Sequence, residues 1–186
     1  MSVQLARKLF TTTDYHRMIE AGVFTEDDRV ELIDGEIIKM FAIGPRHAAC
    51  VKRLAEFLIV KVRRFAMVGV QDPVHLNEYS EPEPDITLLK RRPDFYAQGH
   101  PLPEDILIAI EVSDTSVEKD RELKIPAYAR AGIPEVWLVD LLNDRIEIHT
   151  QPEQGVYQEV RVVLRGHKAV SKAIPQLKLK AGDILG

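Results

Sequence analysis

The chain has 186 residues, 45% of them hydrophobic and 29% charged, with a formal net charge of −4. That balance suits one globular domain over residues 1–186 and excludes a polycationic coat for nucleic acid, while leaving room for a local basic surface. A single cysteine, Cys50, excludes an internal disulfide, and no apolar run approaches the ~20 residues that cross a bilayer.

The first residues, MSVQLARKLFTTTDYH, lack the apolar stretch of a secretory leader, so a cytoplasmic protein without membrane contact is expected. Thr13-Asp14 predicts the cap of a short helix running to about Ala21, with Gly22 as its stop. Residues 29–40, RVELIDGEIIKM, set Asp34-Gly35 between β-rich arms and predict a hairpin. Residues 46–65 predict a long amphipathic helix, with Val51, Leu54, Leu58 and Val62 on one arc. His47 falls on that arc and reads as a core histidine. Arg46, Lys52, Arg53, Arg63 and Arg64 lie on the other side. Six Lys/Arg against the single acid Glu56 make residues 46–64 the most basic stretch of the chain.

Strand-like pieces follow at 67–70, 74–76 and 84–89, then a loop with two prolines at 102–105. Residues 106–112 form an almost unbroken apolar run, as in a central strand buried on both faces, and carry Glu111 near the end. A helix is expected over 117–131, stopped by Gly132 and Pro134. Pro126 would cost roughly 3 kcal/mol deep in a helix, so this one should kink or begin near Glu122. Residues 135–141 read as a second buried strand, and 144–150 with 156–164 as an outer hairpin. The fold class is therefore α/β, a mixed sheet with helices packed on it. The 117–131 helix should bridge 106–112 and 135–141 as neighbouring parallel strands.

The chemistry points to the two acids. Asp85 follows a proline at the start of an apolar strand, and Glu111 sits inside another. A buried carboxylate is costly unless paired, hydrogen-bonded or bound to a metal. Two on neighbouring strands can share Mg²⁺, a hard cation that takes oxygen ligands. Ser113, two residues beyond Glu111, shares its face. Lys124, on the next helix, can reach back over the strand end. Replacing it with alanine is expected to leave the fold nearly intact. There is no phosphate-binding glycine loop and no serine-nucleophile motif. The histidines form no tight ligand pair, so no zinc site is expected. Cys50 has no activating partner and reads as inert.

Four blocks carry a resemblance: Glu31-Leu32-Ile33-Asp34-Gly35-Glu36, Pro84-Asp85-Ile86, Ile110-Glu111-Val112-Ser113, and the run from Lys124-Ile125-Pro126-Ala127-Tyr128 to Trp137-Leu138-Val139-Asp140. Over residues 11–179 the chain resembles the Uma2 family of restriction-endonuclease-like proteins, within the PD-(D/E)XK nuclease superfamily. The resemblance implies that superfamily's core, helices flanking a mixed β-sheet. It makes Asp85 the aspartate of the proline–aspartate motif and Glu111 the second acid. Ser113 stands where the motif has its lysine, and Lys124 matches the alternative supplied by the next helix. Glu31 matches an accessory acid, and His47 resembles a family histidine that would approach the site.

The expectation is then an endonuclease hydrolysing phosphodiester bonds in DNA. Mg²⁺, with Mn²⁺ able to substitute, would be held by Asp85, Glu111 and the carbonyl of Val112. Lys124 would orient or help deprotonate the attacking water and stabilise developing charge. Arg46, Arg53 and Arg64 would meet DNA phosphates, and a homodimer would suit two-strand cutting. Two alternatives stand beside it. One is a binding or regulatory protein that keeps the fold without cutting, as the acidic total and displaced lysine suggest. The other is a metal-dependent hydrolase of small phosphate esters.

Overall fold

Local signals in the sequence set most elements of this computed structural model, which describes residues 7–25, 27–115 and 117–186. Helix α1 (Thr12–Glu20) is capped by Thr11 rather than by Thr13. The Thr11 hydroxyl accepts from the Asp14 amide, and the Asp14 carboxylate accepts from the Thr11 amide, both at 3.1 Å. Asp14 closes a reciprocal box only with the residue three before it, which places Thr13 inside the helix.

Strands β1 (Val30–Ile33) and β2 (Glu36–Lys39) form the expected hairpin. Asp34 and Gly35 both take positive φ, 51° and 76°, as a two-residue turn between right-twisted strands requires. A Cβ on Gly35 would also sit 2.7 Å from Leu9 Cβ. Gly35→Ala is therefore expected to destabilise the protein by more than about 1 kcal/mol. A urea unfolding midpoint equal to wild type would show that this turn does not hold the hairpin.

Helix α2 (Pro45–Val62) opens on a proline, whose missing N–H costs nothing at a first turn. It buries Cys50, Val51, Leu54, Leu58 and Val62, the predicted arc with Cys50 beside it. Next come β3 (Ala66–Val70), β4 (Ile86–Lys90) and β5 (Ile106–Ser113). Residues 74–76, expected as a strand, join no sheet. The amides of Val74, His75 and Leu76 bond the carbonyls of Pro82, Pro101 and Ser80, which belong to no common strand. The proline-rich loop contains a 3₁₀ turn, Pro103–Asp105.

After β5 the chain forms α3 (Val117–Lys119), a π-helical turn (Asp120–Lys124) and α4 (Ile125–Arg130). Pro126 lies in the first turn of α4. Its ring needs room at the carbonyl four residues back, Glu122, which lies within the wider π turn. The expected break is thus a change of helical pitch. Strands β6 (Glu135–Asp140), β7 (Arg145–Glu153) and β8 (Val156–Leu164) follow, then a small pair, β9 (Lys168–Val170) with β10 (Lys178–Lys180), and α5 (Ala181–Leu185).

One six-stranded sheet runs in the order β3-β4-β5-β6-β7-β8. Every neighbouring pair is antiparallel except β5 and β6, which are parallel and joined by the α3–π–α4 run. Period-two alternation sends side chains of these strands to two cores. Ile108, Ile110, Trp137 and Val139 meet Leu54 and Leu58 of α2. Ala109, Val136 and Leu138 meet Ile125 and Tyr128 of the crossover. Each fully buried Leu or Ile contributes about 1.5–3 kcal/mol relative to exposure. Among the described residues no helix is long and apolar enough to cross a membrane.

Candidate active site

Glu111 alternates with Ile110 and Val112 of the α2 core, so it points to the crossover face. In the β4–β5 register Ile86 stands opposite Ile110, and one further step sets Asp85 opposite Glu111. Directly opposed residues share a face, so the two acids predicted from sequence meet at the end of β5. Both line one cleft with Glu31, Glu83, His47 and Lys124.

Asp85 is held on three sides. The Val112 amide donates to its Oδ2 at 2.8 Å and Gln71 Nε2 to its Oδ1 at 3.2 Å. His47 Nε2 lies 3.0 Å from Oδ2, and this bond raises the histidine's pKa. His47 therefore does not belong to the apolar core. It sits on the first turns of α2, where the helix reaches the cleft, and its side chain is 15% exposed.

Glu111 is fully enclosed. Tyr128 donates its hydroxyl to Oε1 at 2.6 Å, and the Lys124 ammonium lies 3.2 Å from Oε2. Burial, added to the negative charge of Asp120, Asp85 and Glu31, pushes its pKa well above the carboxylate range in spite of Lys124. Lys124 also reaches Glu31 Oε2 at 3.0 Å and donates to the Glu83 carbonyl at 3.1 Å. Burial alone would lower its pKa, but the carboxylates of Glu111 and Glu31 outweigh that and keep it an ammonium. Glu31, on β1, takes Lys119 Nζ on its other oxygen at 3.2 Å.

The cleft is lined by six acids, Glu31, Glu83, Asp85, Glu111, Asp114 and Asp120, against the three cations Arg29, Lys119 and Lys124. The oxygens of these carboxyls could hold a hard cation. Burial and the nearby Glu31 also raise the pKa of Glu83. Sequence reasoning missed Gln71, Glu83, Lys119 and Tyr128. Tyr128 stands four residues after Lys124, a helical spacing that places both on one face and was open to reading.

The three arginines separate. Arg46, 64% exposed, pairs with Asp114 at 2.9 Å beside the cleft and donates to the Leu141 carbonyl. Arg53 is half-buried and donates to the Ile184 carbonyl at the C-terminal helix. Arg64 is exposed beyond the far end of α2, about 27 Å from Arg46 along the helix axis. Cys50 is buried, with its thiol on the Ile184 carbonyl and its pKa pushed up to about 11 by burial, in keeping with an inert thiol.

The family described as "Putative restriction endonuclease", Uma2, matches residues 12–182. No curated protein matches the sequence. Among solved structures, the crystal structure described as a "putative nuclease belonging to DUF820 from Anabaena variabilis ATCC 29413" aligns with a TM-score of 0.73 at 18% identity. The alignment covers 95% of this chain and 97% of that chain, and the likeness shows the restriction-endonuclease-like fold. With the family match spanning nearly all of the described fold, the chain belongs to the Uma2 family of restriction-endonuclease-like proteins.

Proposed function

We propose that the protein is a metal-dependent endonuclease that hydrolyses phosphodiester bonds in DNA, with Asp85, Glu111 and Lys124 as its catalytic core and Glu31 as an accessory acid. The observation that carries this reading is Lys124. Ser113 leaves the motif without a cation on β5, and Lys124 brings one to Glu111 from the crossover. An ammonium fixed there stabilises a phosphodiester transition state, which gathers negative charge, more than its ground state.

Asp85 and Glu111 are the donors that this reading offers to Mg²⁺. Among the described residues no group of three or more His, Cys, Asp or Glu side chains is assembled as a metal cage. Asp85 and Glu111, with the Val112 carbonyl and waters, would suit an ion that keeps several waters and takes one or two carboxylates. Bound there, Mg²⁺ or Mn²⁺ would activate water and neutralise charge on the phosphate. His47 and the Val112 amide orient Asp85, and Tyr128 orients Glu111. Glu31 holds Lys124 and Lys119 in place.

The test is cleavage of duplex DNA with Mg²⁺ or Mn²⁺, and with EDTA in their place. Cutting that needs the ion is expected, and a small phosphate diester should compete poorly. The engagement of both Glu111 oxygens by Tyr128 and Lys124 favours one second reading, a DNA-binding protein that does not cut. DNA binding without cleavage under either metal would select it.

Phosphate contacts belong at Arg46, which is exposed beside the cleft, more than at Arg53, which is committed to the C-terminal helix. Arg46→Ala is expected to lower the log–log salt slope of DNA binding by roughly 0.9. Arg64→Ala, remote from the cleft, should leave it unchanged. A slope altered only by Arg64→Ala would place the DNA along the far end of α2.

A further inference from the structure

Strand β8 ends the six-stranded sheet, and among the described residues its outer edge bonds to no other strand. Eight of its nine residues pair with β7 in one constant register, Gln158 beside the positive-φ Gln151 being the exception, and it contains no proline or lysine, although Glu159 and Arg161 are charged. The opposite edge, β3, is only five residues long. Along one face of β8, Val156, Val160, Val162 and Leu164 are each half or more exposed.

The sequence of this edge, VYQEVRVVL, is complementary to itself. Outward-facing backbone groups belong to alternate residues, so two antiparallel copies bond only when residues of equal parity stand opposite. Centring the pair on Val160 gives the full nine-residue overlap. Val156 then opposes Leu164, Gln158 opposes Val162 and Tyr157 opposes Val163 across the two chains. Glu159 opposes Arg161, twice by symmetry. Moving the centre one residue toward the start sets Glu159 against Glu159, and one residue toward the end sets Arg161 against Arg161. Like charges directly opposed are destabilising, so both neighbouring registers are disfavoured. Only the central register matches charge, apolar face and length together.

We propose that β8 pairs with β8 of a second copy of this chain, antiparallel and centred on Val160, making one twelve-stranded sheet about a two-fold axis. Such an isologous contact closes on itself and yields a dimer rather than a filament. The proposal does not depend on nuclease activity. Within one chain Glu159 pairs with Lys172, and Arg161 donates to the Val170 carbonyl at 2.5 Å. Both are only partly buried, so pairing across the two chains would exchange these contacts for new ones.

The experiment is sedimentation velocity of the full chain over a concentration series, with thermal unfolding of each variant to confirm the fold. Wild type should dimerise. Val160→Asp, a change at an exposed position that sets two carboxylates together on the axis, should weaken the dimer by about tenfold or more. Glu159→Arg and Arg161→Glu should each do the same, and the double exchange should restore the wild-type dissociation constant. A wild type that stays monomeric at high micromolar concentration overturns the proposal. So does a dimer indifferent to Val160→Asp, or single charge reversals that the double exchange fails to rescue.

Discussion

Lys124→Ala is expected to slow single-turnover cleavage of duplex DNA by a factor on the order of 10² or more. It is also expected to destabilise the metal-free fold by roughly 3–5 kcal/mol. From the sequence, loss of this lysine is expected to leave the fold nearly intact. The structure corrects that, because Lys124 is 4% exposed between Glu31 and Glu111, themselves 1% and 2% exposed. Removing the ammonium leaves Glu111 with the Tyr128 hydroxyl alone and Glu31 with only Lys119 as its cation. Lys124→Met should fare no better, since it restores the apolar stem and not the charge. Mg²⁺ should raise the melting temperature of Lys124→Ala more than that of wild type, because the ion takes over part of the missing positive charge. Thermal melts with and without the ion check the second half, and single-turnover rates the first. Full cleavage by a folded Lys124→Ala protein would refute a lysine supplied by the crossover.

Asp85→Asn is expected to abolish detectable metal-dependent cleavage, a loss on the order of 10³-fold if several kcal/mol of charge stabilisation depend on this carboxylate. The amide keeps one oxygen to accept from the Val112 amide at the position of Oδ2. Fold and melting temperature should therefore change little in the absence of metal. Calorimetric titration with Mn²⁺ should show binding weakened at least as strongly as activity. A variant that binds Mn²⁺ like wild type yet fails to cut would move the metal away from Asp85 and leave that residue a role in positioning His47 and β5.

Elements written in local sequence were legible. Asp34-Gly35 specifies its turn through backbone conformations that both residues tolerate. The apolar runs at 106–112 and 135–141 could be buried on both faces only inside a sheet, and they are adjacent and parallel. The site was legible as far as its acids and Lys124, through their order and through family likeness. What stayed hidden depends on contacts between distant segments. His47 shares an arc with core leucines, and nothing in α2 reveals that its first turn ends at Asp85. Gln71 lies in a loop, and its link to Asp85 follows from the β3–β4 pairing. The strand-like composition of 74–76 was overruled because its backbone partners belong to scattered turns.

The π-helical turn at Asp120–Lys124 amounts to a helix carrying one surplus residue. Helix α4 is anchored downstream by Tyr128 on Glu111, so any loss of that residue must be absorbed upstream. Deleting Leu123 and closing the turn to regular α geometry would rotate α3 by about 100° and draw it in by about 1.5 Å. Lys119 would then swing away from Glu31, while residue 124 kept its place over β5. The two lysines that converge on Glu31 thus reach it from the two ends of the π turn, Lys119 just before it and Lys124 as its last residue. A single-codon deletion can uncouple them where a point substitution cannot.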